Sequence, residues 1–231
     1  MKRSFDPALL EMMDRPQPVS AELDRDLERL RQLNRWFGSH RLVLNFMRRW
    51  IKPHSRTRIV DLATGSGDIP RLIANYARGI RAQVEIEALD RQSATLEIAR
   101  KLSSSYPEIS YREANILEWN SVEAYDIALC TLALHHFSDE DAVRVLRQCR
   151  QLSRRFVLVS DLRRGVFLRT GVYLLTAMIF REPMTRHDAR LSAVRAFSFS
   201  EMRNLALRAG WEHFGHKKFR FARQAMWLEA A

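Results

Sequence analysis

Cysteine, proline and glycine are scarce in this 231-residue sequence, which has 2, 7 and 8 of them. Cys130 and Cys149 have neither metal-ligand nor redox spacing, so we expect no disulfide framework and no metal site. Long hydrophobic runs are also rare. The longest, "GVFLRTGVYLLTAMIF" at residues 165 to 180, contains Arg169 and is shorter than the ~20 apolar residues of a membrane-spanning helix. The first twenty residues lack a continuous apolar core, which argues against a secretory signal. These absences predict a cytoplasmic protein.

The balance of charge is strongly basic in one part of the chain. The formal net charge is +11, and residues 144 to 223 carry 18 Lys and Arg against 5 Asp and Glu. Nucleic acid, an anionic lipid surface or an acidic substrate could exploit such a field. Arg144, Arg147, Arg150 and Arg154 recur every three or four residues, however, which is typical of the solvated face of a helix. Nucleic acid and peripheral membrane contact therefore remain open but are not favoured.

Hydrophobic residues make up 46% of the chain and charged residues 28%, which is typical of a globular protein. Strand-like and helical patterns alternate along it, and this alternation predicts an α/β fold with a doubly wound, Rossmann-like sheet. The last two strand-like runs have only a short turn between them, so they should form an antiparallel hairpin. We predict about seven strands, at 57–62, 82–90, 109–115, 125–130, 155–162, 211–219 and 222–230, with helices at 69–78, 92–103, 139–151 and 200–209.

Two helical segments are predicted outside this alternation. Residues 1–55 form an N-terminal extension or lid, in which Ser20 is a plausible N-cap and Gly38 separates two helices. Residues 56–231 form the main domain. It includes a helical insertion at 163–197, after the fifth strand.

The clearest motif is "VDLATGSGDIP", a glycine turn between a strand and a helix. Gly65 and Gly67 let the backbone approach a ligand at the carboxyl edge of a parallel sheet. A dinucleotide-binding loop has glycine where this chain has Pro70. The carboxylates of Asp61 and Asp68 would also repel a pyrophosphate. These features disfavour phosphate as the ligand.

A ligand that combines an ammonium group, a carboxylate and an adenosine would suit both the acids and the loop amides, and S-adenosylmethionine (SAM) is such a ligand. Asp90 ends the second predicted strand, where a carboxylate can accept hydrogen bonds from two ribose hydroxyls. The alternative is that Asp90 only caps the next helix.

With these residues the chain resembles the class I SAM-dependent methyltransferases over residues 56 to 161, and "DLATGSGDIP" is similar to the first motif of the quinone-biosynthesis C-methyltransferases. The resemblance implies that Asp61 organises the amino group of SAM, Asp90 binds ribose, and Asn115 binds the adenine amino group. It also implies that the Cys130 carbonyl and the Thr131 side chain face the cofactor. The full set of implied cofactor residues is Asp61, Ala63, Gly65, Ser66, Gly67, Asp68, Asp90, Arg91, Asn115, Ile116, Cys130 and Thr131.

The chain departs from the quinone enzymes at the position where they have an arginine-asparagine pair. His135 and His136 stand there, directly after the fourth predicted strand. The segments "LNRWFGSH" and "MTRHDARLSAVRAF" look more like uncharacterised bacterial methyltransferases of secondary metabolism. A histidine at this rim can accept the proton of an acceptor hydroxyl, so we predict that the pair is catalytic. Packing against the cofactor is the alternative role.

The insertion could form an apolar wall for an aromatic or lipid-like acceptor, or it could be a plain buried helix. We expect Trp36, Tyr173, Met178 and His187 near the acceptor. The predicted function is SAM-dependent methylation of a small, largely apolar acceptor, most simply a phenolic or polyketide-type hydroxyl, with S-adenosylhomocysteine as the product. The alternatives are C-methylation of a prenylated quinone, methylation of RNA or protein, and SAM binding without catalysis.

Overall fold

One seven-stranded sheet organises the chain. The computed structural model describes residues 2–119, 124–165, 168, 170–173 and 183–229. The strand order is β3-β2-β1-β4-β5-β7-β6. The first five strands pair in parallel, and β7 is antiparallel to both β5 and β6, which confirms the predicted fold class. The strands are β1 (Arg56–Leu62), β2 (Gln83–Asp90), β3 (Ile109–Glu113), β4 (Tyr125–Thr131), β5 (Ser153–Leu162), β6 (Gly215–Phe219) and β7 (Arg223–Glu229).

Helices cover both faces of the sheet because most of its strands are apolar on both sides. Side chains of α2 and α3 form one core cluster with the sheet, and side chains of α5 and α7 form another on the opposite face. Trp50 of α2 stacks on Phe156 of β5, with ring centroids 4.8 Å apart. The helices are α1 (Ala21–Trp36), α2 (Ser39–Trp50), α3 (Asp68–Gly79), α4 (Ser93–Leu102), α5 (Asp139–Leu152), α6 (Pro183–Arg195) and α7 (Phe199–Arg208).

Local chemistry explains where the N-terminal helices begin. The Ser20 side chain accepts a hydrogen bond from the Leu23 N–H over 3.1 Å and so caps α1. Gly38 takes a positive φ of 81° between α1 and α2, a conformation that glycine adopts at little steric cost. Both features agree with the helix boundaries predicted from the sequence.

The segment before α1 contains a short 3-10 turn, Met12–Asp14, and is held against α6 by hydrogen bonds. The Met12 and Met13 N–H groups donate to the two oxygens of Asp188, over 2.7 and 3.0 Å. Farther up the chain, Arg3 donates to the carbonyl of Arg195 over 2.6 Å, and Arg195 donates back to the carbonyl of Asp6 over 2.8 Å. These contacts hold residues 3 to 14 across the carboxyl edge of the sheet.

The longest apolar stretch of the sequence, residues 165 to 180, lies largely outside the residues that the structure describes. Within the part that the structure describes, no helix is long and apolar enough to cross a membrane.

Gly67 has a backbone conformation and a close neighbour that both favour glycine. It adopts a φ of +72°, and a Cβ atom there would overlap the hydroxyl of Tyr111, which is held by Ser103 over 2.7 Å. We expect Gly67→Ala to lower the free energy of unfolding by ~1–3 kcal/mol, which urea denaturation would measure.

The matched control is Gly79→Ala at the end of the same helix, where no atom lies within 4 Å of the added Cβ. That change should be neutral or stabilising by up to ~1 kcal/mol. Equal effects of the two substitutions would contradict the strained-turn interpretation.

Candidate functional site

The glycine loop between β1 and α3 lies at the carboxyl edge of the sheet. The Thr64 N–H donates to the Leu89 carbonyl over 2.8 Å, which joins the loop to β2. Gly65 has a φ of +56°, and the space that its missing side chain would occupy is open for 4 Å. A ligand can therefore approach the backbone closely at Gly65. At Gly67 the corresponding space is filled by Tyr111.

Asp90 ends β2 beside this loop. One of its oxygens accepts the Gly65 N–H over 2.8 Å and the other accepts the Gln92 N–H over 3.0 Å. Burial raises the pKa of Asp90, and these two N–H groups oppose that effect. Each carboxylate oxygen has a second lone pair, so Asp90 keeps capacity to accept hydrogen bonds from a ligand's hydroxyls.

Asp61, near the end of β1, is almost completely buried. Thr64 donates to its Oδ2 over 2.6 Å, whereas its Oδ1 has no hydrogen-bond partner among the described residues. Burial raises the pKa of Asp61 to about 7, which the Thr64 hydrogen bond only partly opposes. The site thus contains a buried carboxylate oxygen whose charge is not compensated, as expected of a group that a cationic ligand would complete.

A cavity of about 1160 Å³ opens beside the loop and contains most of the implied cofactor residues. Asp61, Gly67 and Cys130 do not line it. Asp61 is buried beneath the loop, Gly67 is the N-cap of α3, and the Cys130 side chain packs in the core. The implied residues that do line it are Ala63, Gly65, Ser66, Asp68, Asp90, Arg91, Asn115, Ile116 and Thr131.

Asp68 also ties the cavity to the N-terminal helices. It accepts hydrogen bonds from Asn34 of α1 over 3.1 Å and contacts His40 of α2 over 2.9 Å. Asn34 lines the cavity together with apolar side chains of the same region. The apolar part of the wall, drawn from the N-terminal segment, α1, the insertion and the β6–β7 turn, includes Leu10, Met13, Leu27, Leu30, Phe37, Leu168, Val172, Ala189, Phe219 and Phe221.

The two histidines lie in a short 3-10 turn, Leu134–His136, that follows β4. His135 is buried, and its Nδ1 lies 2.6 Å from Asp161 Oδ1 while its backbone N–H donates to Asp161 Oδ2 over 2.8 Å. His136 Nδ1 lies 2.7 Å from Asp14 Oδ2. Both rings line the cavity. Each histidine is therefore oriented by its own carboxylate.

Glu11 completes this cluster from the N-terminal segment. It is 2% exposed and accepts a hydrogen bond from the Ser192 hydroxyl over 2.8 Å. Burial raises the pKa of Glu11, and the two histidines oppose that rise. Burial alone would lower the pKa of His136, but Glu11 and Asp14 outweigh it and raise the pKa to about 10.

Sequence reasoning missed Glu11, Asp14 and Asp161. Asp161 had a detectable signal, since it is a charged residue at the end of the apolar run "FVLVSD", where a parallel strand meets the ligand edge. No pattern in the sequence marks Glu11 or Asp14 as a site residue, because they lie in the N-terminal segment, whose position depends on its contacts with α6.

The structure places the expected acceptor residues differently. Trp36 is 65% exposed at the end of α1, and Tyr173 is 45% exposed with Arg190 above its ring. His187 pairs with Asp188 over 2.8 Å on α6. None of these three lines the cavity, because each side chain lies on the outer side of its element, and Met178 lies outside the described residues. The insertion instead contributes Leu168, Val172, Ala189 and Ser192 to the wall.

Part of the chain is similar in sequence to known methyltransferases. Residues 59–155 match the family model described as a methyltransferase domain. A demethylmenaquinone methyltransferase from Thermotoga maritima is 35% identical over 98 residues, which cover 42% of this chain and 39% of that protein. The chain thus matches well under half the length of this curated relative.

Two solved structures show the same fold at low identity. Human N-acetylserotonin methyltransferase in complex with SAM superposes with a TM-score of 0.63 and 15% identity, over 89% of this chain and 55% of that one. An O-methyltransferase family 2 protein from Planctomyces limnophilus in complex with apigenin superposes with a TM-score of 0.55 and 14% identity. The superposition covers 75% of this chain and 49% of that one. These two structures confirm the predicted fold, and the domain match agrees with the resemblance to SAM-dependent methyltransferases.

Asp61→Asn tests the uncompensated carboxylate. Because the folded pKa of about 7 lies above the ordinary value near ~3.9, ionisation of Asp61 costs stability as the pH rises between these values. In the ligand-free protein, Asp61→Asn should raise the free energy of unfolding by on the order of 2–4 kcal/mol at pH 8, with a difference that shrinks towards pH 5.

Denaturation with urea at several pH values measures this difference. Glu113→Gln removes an exposed carboxylate at the end of β3 and serves as the control, for which we expect no pH-dependent gain. A gain of equal size at pH 5 and pH 8 for Asp61→Asn would contradict the assignment.

Proposed function

We propose that this protein transfers a methyl group from SAM to a hydroxyl group of a small, largely apolar acceptor of the phenolic or polyketide type. The observation that carries the proposal is a single cavity. It joins the glycine loop and Asp90 at one side to the His135–His136 cluster and an apolar wall at the other. At about 1160 Å³ it exceeds the ~300–1,000 Å³ typical of one ligand, so a cofactor and an acceptor can share it.

The residues at the loop suit the parts of SAM. The two oxygens of Asp90 can accept hydrogen bonds from ribose hydroxyls, and the open backbone at Gly65 can lie against the methionine part. Asp61 Oδ1, which has no hydrogen-bond partner within the described ranges, offers a negative charge for the ammonium group, directly or through a water molecule. Asn115 and Ile116 line the cavity beyond Asp90, where the adenine would lie. Bound SAM supplies an electrophilic methyl group on a sulfonium centre.

The chain's own residues would hold the acceptor and prepare its oxygen. Methyl transfer requires the acceptor oxygen about 3 Å from the methyl group and in line with the bond that breaks. The apolar wall excludes water and positions an aromatic or polyketide skeleton. His135 and His136 would contact the acceptor hydroxyl, because their rings line the same cavity, and Asp161 and Asp14 fix the orientation of those rings.

C-methylation of a prenylated quinone is the second candidate. The similarity to the demethylmenaquinone methyltransferase supports it, as does the apolar wall. That similarity covers less than half of either protein, however, and the family match ends at residue 155, before the insertion begins.

Calorimetric titration with SAM and with S-adenosylhomocysteine tests the cofactor. We expect the unmodified protein to bind both, and Asp90→Ala to weaken SAM binding by about 1.5–3 kcal/mol, because hydrogen bonds to a charged group are lost. Glu113→Ala is the control, since Glu113 pairs with Asp90 across the strands but is exposed and does not line the cavity. Unchanged affinity in Asp90→Ala would overturn the cofactor assignment.

Transfer of a radiolabelled methyl group to a panel of acceptors tests the reaction. The panel contains phenols, polyketide-type hydroxyl compounds, demethylated naphthoquinones and RNA. We expect labelled product with the hydroxyl compounds, and we expect His135→Ala and His136→Ala to slow turnover by ~100-fold or more while SAM affinity stays nearly unchanged. Labelling of naphthoquinone carbon alone would favour the second candidate. SAM binding without transfer to any acceptor in the panel would count against the proposed acceptor class.

A further inference from the structure

We propose that Glu11, His135 and His136 form a binding site for one divalent transition-metal ion at the acceptor side of the cavity. Binding of the ion is independent of the proposed function, whereas its part in catalysis rests on that function. The three residues come from two distant parts of the chain and meet only because the N-terminal segment is fastened to α6. All three line the cavity, so an ion can reach them.

The spacing of the donor atoms carries the inference. His135 Nε2 lies 4.0 Å from Glu11 Oε1, and His136 Nε2 lies 3.8 Å from Glu11 Oε2. The three ligand atoms all lie within 4.8 Å of one another. Such distances are too long for hydrogen bonds. Ligand atoms ~2.1 Å from a tetrahedral ion lie about 3.4 Å apart, so small side-chain adjustments would let one ion contact all three.

Each histidine makes a hydrogen bond to a carboxylate through the ring nitrogen that faces away from Glu11, as metal-binding histidines commonly do. Metal-binding histidines commonly donate their second ring N–H to a carboxylate, which fixes the tautomer and raises the basicity of the ligand nitrogen. His135 and His136 both have this contact through Nδ1, with Asp161 at 2.6 Å and Asp14 at 2.7 Å. Since an ionised carboxylate only accepts hydrogen bonds, each Nδ1 carries the proton, and each Nε2 is directed towards Glu11.

The charges around the cluster favour a cation. Glu11 and Asp161 are buried, and Asp14 is mostly so. Two arginines near the cluster have partners other than Glu11 in the described part of the chain. Arg91 lies 3.9 Å from Asp14, and Arg3 donates to the His135 carbonyl over 3.2 Å. A divalent ion would offset the negative charges of these buried carboxylates.

The ligand set indicates the class of metal. Two imidazoles and one carboxylate suit Zn²⁺, Fe²⁺, Co²⁺ or Ni²⁺, whereas Mg²⁺ and Ca²⁺ prefer oxygen ligands. Three protein ligands leave at least one position open towards the cavity, as in catalytic rather than structural zinc sites.

That open position would receive the acceptor hydroxyl, so in the metal-bound protein the two histidines would act on the hydroxyl through the ion and not by direct contact. Coordination lowers the pKa of a bound hydroxyl group, so its proton passes to solvent water and the oxygen stays on the ion as an oxyanion. The oxygen's electron pair then forms the O–CH₃ bond while the S–CH₃ bond of SAM breaks and its pair stays on sulfur. No oxidation or reduction takes place.

Metal titration of the 231-residue chain, without a histidine tag and stripped with a chelator, tests the site. We expect one equivalent of Co²⁺ to bind, with the visible absorption of a low-coordinate Co²⁺ centre, and Zn²⁺ to displace it. Glu11→Gln and His136→Gln should each weaken Co²⁺ binding by at least ~10-fold, and Asp14→Asn by ~10-fold. His54→Asn, at an exposed turn outside the cavity, should bind Co²⁺ as the unmodified protein does.

SAM titration of each protein shows whether the fold and the cofactor site persist. Co²⁺ binding of the unmodified protein that is weaker than millimolar, with SAM bound normally, would overturn the metal site and leave the proposed function standing. Stoichiometric Co²⁺ binding that Glu11→Gln and His136→Gln leave unchanged would also overturn it. Binding of Co²⁺ at the predicted residues without SAM binding would support the metal site and overturn the proposed function.

Discussion

The parallel strands of the sheet end at one edge, and three of them bring to that edge a carboxylate that is buried or partly buried: Asp61 on β1, Asp90 on β2 and Asp161 on β5. Parallel pairing makes this unavoidable, because the carboxyl ends of neighbouring strands coincide. Buried carboxylates are costly unless hydrogen bonds or cations compensate them. How each of the three is compensated determines what the edge of the sheet can bind.

The three carboxylates are compensated to different degrees. Asp161 receives both the ring and the backbone N–H of His135, so it serves to orient that histidine. Asp90 receives two backbone N–H groups and retains lone pairs that face the cavity. Asp61 receives only the Thr64 hydroxyl, and one of its oxygens has no partner in the described part of the chain. Compensation is thus least complete beneath the loop where the ammonium group of SAM would bind. A carboxylate of this kind lowers the stability of the ligand-free protein, and a cationic ligand that compensates its charge would bind more tightly for that reason.

The N-terminal segment covers part of this edge and forms one wall of the cavity. Its two backbone contacts with Asp188 place Glu11 and Asp14 opposite the histidine turn. The segment therefore contributes both an apolar cover, through Leu10 and Met13, and two more carboxylates. A cover of this kind couples the acceptor side of the cavity to α6, so changes in the insertion would alter the position of Glu11.

The sequence by itself determined the sheet, the glycine loop and the strand-end residues. These features depend on local patterns, namely the alternation of strands and helices, the glycines at positive φ and an acidic residue at the end of β2. It also indicated the histidine pair, because the pair follows β4 directly.

Only the tertiary structure decided which residues surround that pair. Glu11 and Asp14 reach the histidines through hydrogen bonds between the N-terminal segment and α6, contacts that leave no periodic pattern in either segment. The same reason applies to Trp36, Tyr173 and His187, which we expected near the acceptor because of their residue types and the segments in which they lie. Which face of a helix is turned inward at a chain end or in an insertion depends on the elements packed against it, and local sequence does not encode that choice.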